Sequence, residues 1–190
     1  MTVAAGKPPA AAVVWLGDVG PLALESAAGR PVAGWVLELA RELDCPRLAI
    51  FAPEALSESI EEAGLGAERL GRAALTALLA SGEDVLLLRG NAPLLTPDVL
   101  RPLLSARGTA RLYQPGGLVV AARAAGVELA SAEDDDLALE GLESLSGEDF
   151  YVPSEQAEDA LLVKHRRDHA LAQRQLWRRL AEGWLCLLYT

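Results

Sequence analysis

The sequence predicts an α/β protein whose central sheet is mostly parallel and covered by helices on both faces. Three observations carry that expectation. Short apolar runs alternate along the chain with amphipathic helical segments. The runs are solid rather than alternating, as strands buried on both faces require. Gly and Pro punctuate the junctions between them, where helices start and stop.

The elements follow in order. "AVVWLG", residues 12–17, reads as a short buried strand. In "PVAGWVLELARELD" the apolar residues Val32, Trp35, Val36, Leu39, Ala40 and Leu43 recur at helical spacing, and Pro31 suits the first turn. "RLAIFA", residues 47–52, is a second strand, and "PEALSESIEEAG" a second helix stopped by Gly64. "GRAALTALLASG" is a third helix, stopped by Gly82, and "DVLLLRG" a third strand. In "TPDVL", Thr96 can cap a helix whose first position is Pro97, and Pro102 should kink or shorten it. "TARLYQPGGLVVAAR" suggests two short strands around a Pro115–Gly116–Gly117 turn. "EDFYVPSEQAED" reads as a short strand with a polar connection, and "RRDHALAQRQLWRRLAEG" as a final helix ending at Gly183.

A chain of 190 residues can bury one proper core, and its 51% hydrophobic content with 5% aromatics makes that core aliphatic. No apolar run approaches the roughly 20 residues of a membrane span, and the first 11 residues read as a loose tail rather than a signal peptide. Cys45 and Cys186 lie far apart and suggest no disulfide framework, which fits a reduced, cytoplasmic setting. A formal net charge of -10 argues against nucleic acid as a partner. The densest basic stretch, Lys164 to Arg179, reads as the solvated face of a helix.

Ligands of parallel α/β sheets bind beyond the carboxyl ends of the strands. Two loops therefore carry the functional expectation: "GDVGPLALESAAGRP" after the first strand and "GNAPLLT" after the third.

At these residues the chain resembles a known family, the uridylyltransferase domain of bacterial bifunctional N-acetylglucosamine-1-phosphate uridylyltransferase. "LLLRGNAPLLTPDVL" is similar to its strand, Gly-Asp, Pro-Leu-Leu, helix motif. "AAGRPVAGWVLELARELDCPRLAIF" resembles its Gly-Lys-Pro helix and following strand, and "AERLGRAALTALLA" its Gln-Leu-Gly-Thr-Gly-His-Ala segment. "LLVKHRRDHALAQRQLWRRLAEGWL" resembles its closing segment, which carries Val-Asn-Asn-Arg. The resemblance spans about two-thirds of the chain, in the family's order. It implies a three-layer, Rossmann-like nucleotide-diphospho-sugar transferase fold over residues 12–183, with 184–190 left as an apolar C-terminal segment. It also implies nucleotide contacts at Gly17, Asp18, Gly20, Arg69, Gly71, Arg72, Gly90 and Asn91.

The departures from the family pattern are as informative. The Gly-x-Gly-Thr-Arg phosphate turn is replaced by a loop with Gly17 and Gly20 but no Thr-Arg pair, and Asp18 would repel phosphate. No Lys lies between Lys7 and Lys164, so the family's catalytic Lys is missing. Asn91 stands where the family has a metal-binding Asp, although Mg²⁺ prefers charged oxygen ligands. The second metal position falls in Val163–Lys164–His165–Arg166, where His165 is a poor Mg²⁺ ligand. The base-contacting segment reads Gly71–Arg72–Ala73–Ala74, and the region after Leu104 is shorter than the family's sugar pocket requires.

Other constellations have plainer readings. Asp134–Asp136 is an acidic cluster without interleaved ligands. His165 and His169 have a zinc-compatible spacing but no evident third ligand, and read as a solvated helix face. The apolar end, Trp184 to Tyr189, is expected to fold back as an edge strand or to dock on a second copy or a partner protein.

The losses coincide at metal, phosphate and base positions. The expected function is therefore a catalytically degenerate nucleotidyltransferase-like domain acting through a nucleotide, a nucleotide-sugar or a protein partner. The alternative is an active sugar-1-phosphate nucleotidyltransferase that uses Mg²⁺, with Asp134–Asp136 as spare carboxylates. A scaffold that binds no nucleotide is the third reading.

Overall fold

A computed structural model describes residues 8–17, 19, 21–127 and 147–188. Asp18, Gly20, the Asp134–Asp136 cluster and Tyr189 lie outside the described residues.

The expected α/β architecture is present. Seven strands form one sheet: β1 (Ala11–Trp15), β4 (Leu48–Phe51), β5 (Glu68–Leu70), β6 (Val85–Arg89), β7 (Ala110–Tyr113), β8 (Val119–Ala124) and β9 (Glu148–Tyr151). Their order is β5-β4-β1-β6-β8-β7-β9. β1, β4, β5 and β6 are mutually parallel, β8 runs against β6 and β7, and β7 and β9 are parallel again. The antiparallel pair β7–β8 arises from the anticipated Pro115–Gly116–Gly117 turn, where Gly117 has φ +80° and its N–H donates to Gln114 O at 2.9 Å.

β1 and β6 form the centre, and every residue of both strands is buried. Alternate side chains serve opposite faces. Val14, Leu86 and Leu88 pack with α1 (Val32–Glu42) and α4 (Pro97–Ser105). Val13, Trp15, Val85 and Leu87 pack with α3 (Arg72–Ala80). α2 (Ser57–Glu62) adds Ile60 to the first face. Thr96 caps α4 as expected, its hydroxyl oxygen accepting from Val99 N at 3.4 Å, and Pro102 lies inside that nine-residue helix.

Arg123 is a buried charge away from the sheet's carboxyl edge, as is Arg111, which pairs with Asp149. Arg123 donates to Asp84 at 2.8 Å and to the carbonyls of Leu104 and Ala106 at 2.8 and 2.7 Å, so the strand entry and the end of α4 are held together.

Three elements depart from the sequence expectation. The first loop contains a small hairpin, β2 (Ser26–Ala27) with β3 (Arg30–Pro31), turned by Ala28 at φ 51° and Gly29 at φ 87°. β5 was not anticipated; it is an edge strand of three residues. The final helix, α5 (Arg166–Leu188), does not stop at Gly183. Its backbone stays helical for five further residues, so the apolar end continues the helix and forms no edge strand. A third core cluster, with Ala27, Val32, Leu94, Val163, Ala172 and Leu176, packs α5 over the hairpin. Among the described residues no helix is long and apolar enough to cross a membrane.

Candidate functional site at the carboxyl edge of the sheet

Because β5, β4, β1 and β6 are parallel, their carboxyl ends share one edge of the sheet. That edge brings Gly17, Gly71–Arg72 and Gly90–Asn91 to one side of the molecule. At about 4.8 Å per strand, Gly71 and Gly90 stand about 14 Å apart across it.

The loops after β1 and β6 touch directly. Gly90 N donates to Trp15 O at 2.9 Å. A Cβ on Gly90 would lie 2.3 Å from Leu16 Cδ2 and 3.0 Å from Trp15 O, so only glycine lets the two strand ends approach this closely. Gly71, at the N-cap of α3, has open space where a Cβ would sit.

Asn91 follows Gly90 and is turned inward, only 2% exposed. Its Nδ2 donates to Val163 O at 3.1 Å, and Val163 N donates to Asn91 O at 2.8 Å. The segment leading into α5 is thereby fastened to the end of the central strand. The two segments in which the resemblance placed metal positions are thus joined through neutral groups. Asn91 Oδ1 is buried without a hydrogen-bond partner.

The remaining candidates are distributed as follows. Arg69 is tied to Ser57 and Glu54 on the neighbouring connection, so its charge is locally matched. Arg72 opens α3 and is half-buried. His165 is exposed, and its backbone N–H donates to Asp168 Oδ2 at 3.0 Å, an acid in the first turn of α5. Lys164 N donates to the same oxygen at 3.1 Å. His165 is thus part of a helix start. Arg166 pairs with Glu25, which joins that start to the first loop. Among the described residues no group of three His, Cys, Asp or Glu side chains is gathered as a metal site.

The side chains present do not fit a Mg²⁺ ion of the kind the resemblance implies. Such an ion prefers charged carboxylate oxygen at the strand end, and the strand end offers only a neutral amide, whose Nδ2 is held by Val163 O and whose Oδ1 carries no charge to match the cation.

Sequence reasoning passed over Arg89. It is the last residue of β6, pairs in register with Trp15 and is buried at the functional edge. Its signal was available: a charge closing a solid apolar run, "VLLLR", marks a strand end that meets something polar.

No protein-family model matches the chain, and no curated protein matches it in sequence. Its fold, however, is similar to that of several solved structures. A nucleotidyl transferase from Methanothermobacter superposes with a TM-score of 0.67 at 13% identity, covering 91% of this chain and 100% of that one. Molybdopterin-guanine dinucleotide biosynthesis protein A from Archaeoglobus fulgidus gives 0.58 at 16% identity, covering 88% and 99%. The 2-C-methyl-D-erythritol 4-phosphate cytidylyltransferase of Thermus thermophilus gives 0.56 at 17% identity, covering 89% and 98%. At these identities the likeness is one of fold, and the chain has the Rossmann-like α/β fold of nucleotidyltransferases, with a mostly parallel seven-stranded sheet.

Proposed function

We propose that this chain is a nucleotidyltransferase-like domain that binds a nucleotide or nucleotide-sugar across the edge formed by Gly17, Gly71 and Gly90, and that it has lost nucleotidyl transfer. The observation that carries the reading is the state of Asn91. Phosphoryl chemistry depends on positioning and on neutralising charge. The strand-end position best placed to anchor a cation holds a neutral, buried amide that fastens α5 instead. Arg72 stands half-buried at the start of α3 on the same edge, beside Gly71. On the resemblance alone, the preferred ligand is a uridine nucleotide or UDP-sugar.

The test combines calorimetric titration with a pyrophosphate assay. UTP, CTP, GTP, ATP and UDP-N-acetylglucosamine are titrated with and without Mg²⁺. Binding of at least one of them with little dependence on Mg²⁺ is expected. Pyrophosphate release from UTP and N-acetylglucosamine-1-phosphate should stay at background. Robust turnover overturns the loss of catalysis, and absence of binding by every nucleotide overturns the ligand class.

A second reading, an active sugar-1-phosphate nucleotidyltransferase, is favoured by one observation. The chain covers 98–100% of the three transferase-fold chains named above, nearly their whole length. The same pyrophosphate assay separates the two readings.

A further inference from the structure

A groove of about 260 Å³ runs between α1, the 93–97 connection and α5. Its floor is apolar, with Trp35, Leu39, Leu95 and Leu180; its α1 rim carries Glu42 and Glu38, the latter already paired with Arg30 and Arg41, and Arg179, paired with Asp159, lines its α5 side. This volume is below the usual range of small-molecule pockets, about 300–1,000 Å³, and suits a single inserted side chain.

A matching anchor lies on the same helix. Trp177 is 55% exposed, one of two large hydrophobic side chains so exposed among the described residues. It sits next to Leu176, which lines the groove, and about 100° further round the helix. Arg174 and Arg178 flank it on the solvent side, and both are exposed. The anchor is therefore an aromatic ring beside Arg174 and Arg178, the latter 4.0 Å from Glu182, and the groove is an apolar slot with the carboxylate of Glu42 on its rim.

We infer that this face binds a second copy of the chain, with Trp177 of each copy seated in the α1–α5 groove of the other and Arg174 and Arg178 facing the partner copy's acidic rim. Carrying both halves of a complementary pair side by side on one surface is what a two-fold, isologous contact needs. A buried aromatic anchor with flanking Arg is the usual composition of an interface centre.

Sedimentation of the full-length chain between about 1 and 100 µM at physiological salt tests the inference. A concentration-dependent dimer is expected. Trp177→Ala should weaken it about tenfold or more, with an unchanged circular-dichroism melt at low concentration because the ring is exposed. Glu42→Arg and Arg178→Glu should each weaken the dimer, and the double variant should recover most of the loss. A monomer at every concentration overturns the inference, as does a Trp177→Ala dimer as tight as the wild type. A double variant no tighter than its parents also overturns the proposed pairing.

Discussion

Asn91 and Val163 grip each other twice: the amide of Asn91 donates to Val163 O at 3.1 Å, and Val163 N donates back to Asn91 O at 2.8 Å. The residues are 72 apart in sequence. This pair of hydrogen bonds joins the end of the central strand to the start of the last helix, and the donor it requires explains why an amide rather than a carboxylate suits the position.

Asn91→Asp should therefore destabilise the fold rather than revive a metal site. An ionised carboxylate cannot donate to Val163 O and would be buried beside it, at a cost of about 1–3 kcal/mol at pH 7. Burial raises the pKa of such an acid above its ordinary value. The protonated form can donate to the carbonyl, so the variant's deficit relative to wild type should shrink as pH falls and grow as pH rises through the raised pKa. Denaturant melts of both proteins at about pH 4.5 and pH 7 measure this. Pyrophosphate release by the variant should remain at background. A gain in stability at pH 7, or substantial turnover, contradicts the account.

Gly90→Ala should cost about 2–3 kcal/mol, because the added methyl meets Leu16, Trp15 O and Val14 within 3.1 Å in a core that cannot relax far. Gly71→Ala is the control: its methyl enters open space, so only the poorer N-cap of alanine is expected to count, at about 0.5–1 kcal/mol. Equal melting temperatures for the two variants would mean that the strand ends are not in contact.

The sequence made some of this legible and hid the rest for physical reasons. β6, Thr96 and Pro97 were readable because an apolar run and a capped helix are local signals. The β2–β3 hairpin was not, since its strands have two residues each and its turn places Ala28 in the left-handed region, where Asn or Gly is the usual signal. β5 was hidden because "ERL" is short and polar; pairing with β4 and the Arg47–Glu68 ion pair at 3.0 Å hold it in place. Asn91 was readable as an anomaly, but its role was not, because its partner is a backbone group that only the folded chain brings near.

Cys45 should be chemically quiet in the folded protein. It is buried beside Asp44, and burial first, then that carboxylate, pushes its thiol up to about 11. The thiolate is the reactive form, so alkylation at about pH 8 should spare Cys45 in the native state and reach it after denaturation. Because the folded pKa is raised, the linked stability is complete below about 9 and declines as pH rises toward about 11. Mass mapping of alkylated peptides checks the first point. Rapid native labelling of Cys45 would show that its surroundings open readily.

Gly183 is the residue at which a helix would ordinarily be expected to end, since glycine is the commonest helix stop. The backbone instead continues as α5 to Leu188. Glycine inside a helix is unfavourable relative to alanine by roughly 0.5–1 kcal/mol, through the freedom it retains in the unfolded chain. A Cβ built on Gly183 meets nothing within 4 Å, so Gly183→Ala would add no clash. The variant should therefore be more stable by about 0.5 kcal/mol, the lower end of that range, because the site lies near a fraying helix terminus. Gly183→Pro should disrupt the last turns and lower helicity, since proline removes a helical hydrogen bond and clashes with the preceding turn. Thermal melts and far-ultraviolet circular dichroism of the three proteins decide the matter. If Gly183→Ala lowers the melting temperature, the backbone at that position is not helical, and the chain ends its helix where glycine alone would have placed the stop.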